Sequence, residues 1–134
     1  MPVTKIAANG FAQSYHAISH IFWSKDISDQ VTLIEDNAFN ANYTTGTLQY
    51  CELPDSIETI GSHAFANQRL LELERLPANL VTIENSAFTS CYNLKITYIG
   101  NKVTTIGPYA FNTAIGVESL TFGDSVQTIG ECAF

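Results

Sequence analysis

Residues 87–111, AFTSCYNLKITYIGNKVTTIGPYAF, decide the fold because they hold one full unit of a motif that recurs along the whole chain. The motif is V-x-x-I-x-x-x-A-F, and its closing phenylalanine returns at intervals of 28, 26, 23, 23 and 23 residues. These phenylalanines are Phe11, Phe39, Phe65, Phe88, Phe111 and Phe134. A period near 23 residues predicts a solenoid, in which each repeat is one coil that buries its apolar side against neighbouring coils.

Apolar residues fall in two clusters within each repeat and predict two short strands per coil. The first strands are expected in residues 48–53, 71–76, 94–99 and 117–122, and the second strands in residues 57–60, 80–83, 103–106 and 126–129. Proline or glycine separates the clusters, as is typical of a corner. Stacked coils would then form two parallel sheets with the aliphatic side chains between them.

Residues at equal positions in successive repeats are expected to stack as columns. The predicted buried columns are Ile34, Ile60, Ile83, Ile106 and Ile129 in the second strands, and Phe39, Phe65, Phe88 and Phe111 at the Ala-Phe corners. Thr59, Thr82, Thr105 and Thr128 should form a ladder with a spacing of about 4.8 Å. Gly61, Gly107 and Gly130 also recur at the repeat period and are interpreted as corner residues.

Two regions depart from the regular repeat. Residues 13–25 have helical spacing at Tyr15, Ile18 and Phe22, which predicts a short helix or an irregular bulge on one edge. Residues 40–47 read as a polar loop. Glu74 and Thr97 stand where a core aliphatic is expected, so either the strand is bulged there or the preceding residue points inward.

Composition and charge exclude several classes of partner. The chain has 134 residues, 46% of them apolar and 14% charged, which suits one domain with a sizeable core. The net charge of −7 and only six Lys and Arg argue against nucleic acid and against an anionic membrane surface. No apolar run reaches the length of about 18 residues that predicts membrane insertion.

Residues that could carry chemistry do not form a recognised catalytic or metal-binding pattern. Cys51, Cys91 and Cys132 lack paired spacing and are interpreted as small buried hydrophobic residues. His16 and His20 would share a helix face but lack a third ligand, so we expect neither a metal nor a cofactor. The acidic pairs Asp26 and Asp29, and Glu35 and Asp36, lie at turns, where carboxylates cap or face solvent. We therefore expect a protein that is not an enzyme.

The string A-F-x-x-C-x-x-L at residues 87–94, followed by V-x-x-I-G-x-x-A-F at residues 103–111, resembles the BspA-like class of leucine-rich repeats. The resemblance implies one leucine-rich-repeat solenoid domain over residues 1–134, a horseshoe or arc of about five to six repeats with mainly parallel strands and incomplete first and last repeats. The corner cysteine is kept only at Cys91, since Asn42, Gln68 and Ala114 replace it. The resemblance also implies a bacterial surface protein that binds host proteins.

The outward face of the first strands is the predicted protein-binding surface. It carries Tyr50, Glu52, Arg75, Tyr98, Ser119 and Thr121. Tyrosine and arginine are enriched among residues that dominate protein interfaces. The preferred hypothesis is a binding module of a cell-surface or secreted adhesin. The alternatives are a spacer or targeting arm of a larger protein, and an intracellular scaffold, which the absence of an export signal at Met1 would favour.

A separate expectation concerns the two ends of the solenoid. Solenoid ends without polar caps expose core residues and strand edges. Val126, Ile129 and Phe134 should thus be more exposed than Val103, Ile106 and Phe111. Self-association through such ends, or continuation into a longer array, is predicted on this ground.

Overall fold

The computed structural model describes residues 2–12, 18–41 and 46–134 and shows a parallel β-solenoid with one coil per repeat. The elements are short, because each coil turns a corner after every few residues. In chain order they are β1 (Lys5–Ile6), β2 (His20–Ile21), α1 (Lys25–Ser28), β3 (Leu33–Ile34), β4 (Tyr50–Cys51), β5 (Thr59–Ile60), β6 (Thr82–Ile83), β7 (Tyr98–Ile99), β8 (Thr105–Ile106), β9 (Thr121–Phe122) and β10 (Thr128–Ile129). Among the described residues, no helix is long and apolar enough to cross a membrane.

The second strands form one continuous sheet along the solenoid. Within the described ranges its order is β1-β3-β5-β6-β8-β10, and each neighbouring pair is parallel and in register. The isoleucine column is therefore confirmed, and all its members are fully buried except Ile129, which is 50% exposed. The threonine ladder is confirmed as well, since Thr59, Thr82, Thr105 and Thr128 are direct strand partners.

The first strands do not form the continuous second sheet that the sequence predicted. In the described part of the chain they pair only as β2 with β4 and as β7 with β9, and residues 71–76 between these pairs contain no strand. The middle inward residue is Cys51 in the coil of residues 48–53 but Leu73 in the next coil, where Glu74 and Arg75 both face solvent. The inward position therefore shifts by one residue between the two coils, and we call this shift the change of phase. It interrupts the side-chain alternation that a regular strand pair requires.

The Ala-Phe corners hold the coils together on one edge. Neighbouring rings from Phe11 to Phe134 are stacked nearly parallel, with centroids 4.9 to 5.4 Å apart. Phe39, Phe65, Phe88 and Phe111 are buried, as predicted. The corner backbone also bonds from coil to coil, because Phe65 N–H donates to Ala87 O (2.8 Å) and Phe88 N–H donates to Ala110 O (2.7 Å).

A left-handed residue two positions before each corner phenylalanine makes this coil-to-coil bonding possible. The six residues at this position, Asn9, Asn37, His63, Ser86, Tyr109 and Cys132, have φ between 51° and 59°. Each is a non-glycine residue in a region that usually costs energy. In the first five of these, the N–H donates to the following coil, as in His63 N–H to Asn85 O at 2.9 Å. The corner therefore remains hydrogen-bonded from coil to coil where no strand is present.

The recurring glycines Gly61, Gly107 and Gly130 lie at corners directly after β5, β8 and β10, as predicted, but a left-handed backbone is not the reason. None of the glycines in the described residues has a positive φ. A Cβ atom on Gly107 would instead lie 2.7 Å from backbone atoms of Asn85 and Glu84 in the preceding coil. Gly61 meets Asp36 and Glu35 in the same way. Glycine is required there because the backbones of successive coils approach closely.

The irregular segment near the N-terminus differs from its prediction. Residues 13–17 lie outside the described residues, and so do residues 42–45 of the predicted polar loop. His20 and Ile21 form a strand, and the helix α1 begins only at Lys25, after Ser24 accepts a hydrogen bond from Asp26 N–H (3.3 Å). The helix prediction for residues 18–24 is wrong, since His20 and Phe22 face solvent while Ile21 and Trp23 pack on the core.

The last coil is more exposed than the middle coils, as predicted. Ile129 is 50% exposed and Phe134 is 51% exposed, whereas Ile106 and Phe111 are buried. This follows because, within the described residues, β10 has a strand neighbour on one side whereas β8 has neighbours on both sides. Self-association through the ends stays a prediction.

Phe88→Ala should lower the free energy of unfolding by about 3–5 kcal/mol, because it removes a buried ring that stacks on two others. Chemical denaturation followed by circular dichroism measures this change. Phe22→Ala is the matched control, since Phe22 is 69% exposed and its loss should change stability by less than about 1 kcal/mol. Equal effects of the two variants would contradict a phenylalanine column that supports the solenoid.

Gly107→Ala should destabilise the protein by about 1–3 kcal/mol, because its new methyl group collides with the backbone of the preceding coil. Gly100→Ala is the control, since a Cβ there has nothing within 4 Å and its φ is not positive. We expect Gly100→Ala to be neutral or to stabilise by up to about 1 kcal/mol. Thermal and denaturant unfolding of both variants would decide the matter, and a harmless Gly107→Ala would refute the close-approach explanation.

Candidate binding site

A groove of about 870 Å³ lies on the side of the solenoid where the first strands are interrupted. It lies where β2 and β4 meet the strandless coil of residues 71–76. Its rim carries His20, Phe22, Tyr50, Glu52, Glu72, Glu74 and Arg75, and Cys51, Leu53 and Leu73 lie beneath them. The groove therefore coincides with the change of phase between Cys51 and Leu73.

An aromatic cluster of His20, Phe22 and Tyr50 forms one wall of the groove. His20 and Tyr50 are strand partners, and the ring of Phe22 lies 6.2 Å from that of His20 and 5.4 Å from that of Tyr50. Behind the cluster, Trp23 Nε1 donates to Glu52 O at 2.7 Å and ties the two strands together. The cluster is thus held on a supported backbone while Phe22 remains 69% exposed.

The charges of the groove are predominantly negative. Arg75 donates to Asp55 Oδ1 at 2.7 Å, and Ala78 N–H donates to the same carboxylate at 2.9 Å. These two hydrogen bonds lower the pKa of Asp55, and the first of them raises the pKa of Arg75. Glu52 and Glu74 form no ion pair within the described residues.

The six residues of the predicted binding surface are all exposed, but the structure brings only three of them into the groove. These are Tyr50, Glu52 and Arg75. Tyr98 and Thr121 are strand partners beyond it, and Tyr98 Oη donates to Asn101 Oδ1 at 2.7 Å. Ser119 borders a second depression of about 380 Å³. The predicted surface is therefore divided, and whether any part of it binds a partner stays a prediction.

The predicted surface omitted several exposed groove residues, namely His20, Phe22, Gln49, Glu72 and Glu74. For His20 and Phe22 the sequence carried little signal, because residues 20–23 read H-I-F-W and Phe22 is as apolar as its inward neighbours Ile21 and Trp23. The outward position of Phe22 is visible only in the structure. Glu72 and Glu74 face the groove because Leu73, which lies between them, points inward. The sequence left the direction of Leu73 undecided.

Glu35 and Asp36 are engaged in structural contacts. Glu35 accepts from Lys5 Nζ (2.7 Å) and Ala8 N–H (2.8 Å), and these contacts lower its pKa. Asp36 accepts from Ser62 N–H at 2.9 Å. No group of three His, Cys, Asp or Glu suited to a metal ion occurs in the part of the chain that the structure describes. His16 lies outside that part, so the His16–His20 pair stays untested.

The cysteines differ from one another in exposure. Cys51 and Cys91 are buried as expected, and burial raises the pKa of each thiol to about 12. Cys91 Sγ donates to Phe65 O of the preceding coil at 3.1 Å. Gln68, which replaces the corner cysteine, donates in the same way to Phe39 O at 2.6 Å. Cys132 is exposed, which corrects its prediction as a buried residue, because it lies at the left-handed corner position of the last coil, whose residues are more exposed than those of the middle coils.

One of the three thiols should react rapidly with a thiol-specific disulfide reagent in the native state, and that thiol should be Cys132. Cys51 and Cys91 should react only after unfolding. Their pKa of about 12 exceeds the ordinary value of 9.0, so their contribution to stability is complete below pH 9.0 and declines as the pH rises towards 12. A variant with Cys51→Ala and Cys91→Ala should show a smaller decline over this range. Rapid labelling of all three thiols would contradict the buried positions.

Comparison with known proteins agrees with the solenoid geometry. A family model described as the BspA type leucine rich repeat region matches residues 3–134 in six copies. A solved leucine rich cell surface protein from Faecalibacterium prausnitzii A2-165 is similar over 78% of this chain, with 26% identity and a TM-score of 0.55. A leucine-rich repeat protein from Bacteroides ovatus ATCC 8483 is similar over 97% of this chain, with 23% identity and a TM-score of 0.56, which shows the fold alone.

This chain corresponds to 34% of the first of these proteins and to 39% of the second. It thus spans well under half the length of either. No protein of curated function matches the chain.

Proposed function

Because this chain belongs to the BspA-type leucine-rich repeat family, we propose that it is a non-catalytic protein-binding module whose partner docks in the groove beside the aromatic cluster. Repeats of this family are typically protein-interaction modules and in general non-enzymatic scaffolds. The proposal adds to this a specific surface and the residues that form it.

The exposure of the aromatic cluster is the observation that carries the proposal. Phe22 is 69% exposed and Tyr50 is 40% exposed, although Tyr50 lies in β4 and Phe22 lies between Ile21 and Trp23, which both pack on the core. Large aromatic rings on a rigid support contribute strongly to protein interfaces, because they bury much area and lose little conformational entropy. Neither ring is needed to fill the core, since Ile21 and Trp23 pack there instead.

A binding role also suits the groove better than catalysis does. Cys51 is the thiol that lines the groove, and burial raises its pKa to about 12, so it is a poor nucleophile. The groove is an open feature along the solenoid and has no enclosed chamber that would exclude water. These properties favour recognition of a partner over chemical conversion.

We further propose that the module belongs to a bacterial cell-surface or secreted adhesin that binds host or neighbouring-cell proteins. The similar protein from Faecalibacterium prausnitzii A2-165 is a cell surface protein, which supports this location. The alternatives are a spacer or targeting arm of a larger protein and an intracellular scaffold. The greater length of both similar proteins accords with a module that is one part of a longer array.

The test is affinity capture from host-cell and bacterial surface extracts, followed by a binding titration with the purified partner. Replacing both Phe22 and Tyr50 with Ala should weaken binding at least about 30-fold, as expected when interface hot spots are removed. Tyr98→Ala is the matched control, because Tyr98 is 44% exposed but lies outside the groove. It should bind the partner as the original protein does.

Two results would contradict the proposal. Unchanged binding after loss of Phe22 and Tyr50 would place the partner elsewhere on the solenoid. The absence of any surface protein that binds the folded chain with micromolar or better affinity would contradict a binding module.

A further inference from the structure

We infer that the groove accepts an extended peptide segment of the partner that carries lysine or arginine side chains. This inference rests on the proposed function and specifies the chemistry of the partner. It depends on the charges, the aromatic faces and the backbone of the groove, which are independent features.

The charges of the groove favour a cationic occupant. Glu52, Glu72 and Glu74 line it together with a single cation, Arg75, and that guanidinium already pairs with Asp55. The other nearby cation, Lys95, lies 3.6 Å from Glu72 in a pair whose side chains are both more than half exposed, so it neutralises the groove only weakly. The whole chain has a net charge of −7, which also attracts a basic partner.

The aromatic cluster supplies faces on which such cations bind. Phe22 and Tyr50 lie 5.4 Å apart beside Glu52, so an entering guanidinium or ammonium group contacts a ring and a carboxylate together. The chain already contains this kind of contact at another place, where the guanidinium of Arg69 lies 5.2 Å from the centre of the Tyr92 ring. Carboxylates combined with aromatic rings favour lysine and arginine over acidic or purely apolar side chains.

The backbone of the groove favours a peptide over a small free cation. Residues 71–76 form no strand, and in the described part of the chain the N–H groups of Glu74 and Arg75 donate no hydrogen bond. A peptide in the groove carries carbonyl groups that can accept from these two donors, which a small free cation does not. A volume of about 870 Å³ holds several side chains together with such a backbone.

The experiment measures fluorescence anisotropy with a short labelled peptide of alternating arginine and serine. Its counterparts have glutamate or glutamine in place of arginine, and spermine serves as a competitor without a peptide backbone. The arginine peptide should bind, the glutamate peptide should not, and spermine should compete poorly. Binding should weaken as salt rises from low concentration to about 0.15 M, because the contact is partly electrostatic.

Two double variants, each of which removes two negative charges, distinguish binding in the groove from attraction to the acidic chain as a whole. Glu52→Gln with Glu74→Gln should weaken binding of the arginine peptide at least about tenfold. Glu58→Gln with Glu131→Gln, at exposed positions outside the groove, should weaken it less than about twofold. Phe22→Ala should also weaken it, and circular dichroism should show that every variant keeps its fold.

The outcomes distinguish this inference from the proposed function. Equal loss in the two double variants, or displacement by spermine as readily as by peptide, would show diffuse attraction and overturn the inference. A captured partner that depends on Phe22 and Tyr50, together with no binding of the arginine peptide, would overturn the inference and leave the proposed function standing. Peptide binding in the groove without any surface partner that depends on Phe22 and Tyr50 would contradict the proposed function.

Discussion

Backbone hydrogen bonding from each coil to the next is the constraint on which the rest of the structure depends. It operates in the continuous sheet and at the corners, where Phe65 N–H donates to Ala87 O at 2.8 Å. Because every coil lies one strand spacing from its neighbours, each position faces its own counterpart above and below. Large rings then stack on rings, and at Gly61 and Gly107 a Cβ atom would collide with the preceding coil. The repeat in the sequence is a consequence of this geometry.

The groove arises where that constraint is relaxed. The continuous sheet keeps one register over all its strands, but on the opposite side the inward residue moves from the position of Cys51 to that of Leu73. The strand pairing of β2 with β4 does not continue across this change, and the groove lies where the two coils meet. The solenoid tolerates the interruption because β5 pairs with β6 and Phe65 stacks on Phe88, which hold the same two coils together on their other edges.

Hydrogen-bonding partners distinguish structural acidic residues from those of the groove. Glu35, Asp36 and Asp55 each accept a backbone N–H from a different coil or turn, and so they stabilise the stacking of the chain. Glu52 and Glu74 have no ion-pair partner in the described residues and line the groove. Net charge alone does not reveal this difference, because all five residues contribute equally to it.

The sequence by itself determined the solenoid, its period and its buried columns, because a chain that stacks on itself must repeat its residue types at a fixed interval. It also identified Tyr50, Glu52 and Arg75, which a strand pattern places on the outer face. Only the tertiary structure decided the change of phase at Leu73, the place of Phe22 and the exposure of Cys132. The first two depend on which of two adjacent residues turns inward, and that choice is set by packing against the neighbouring coil.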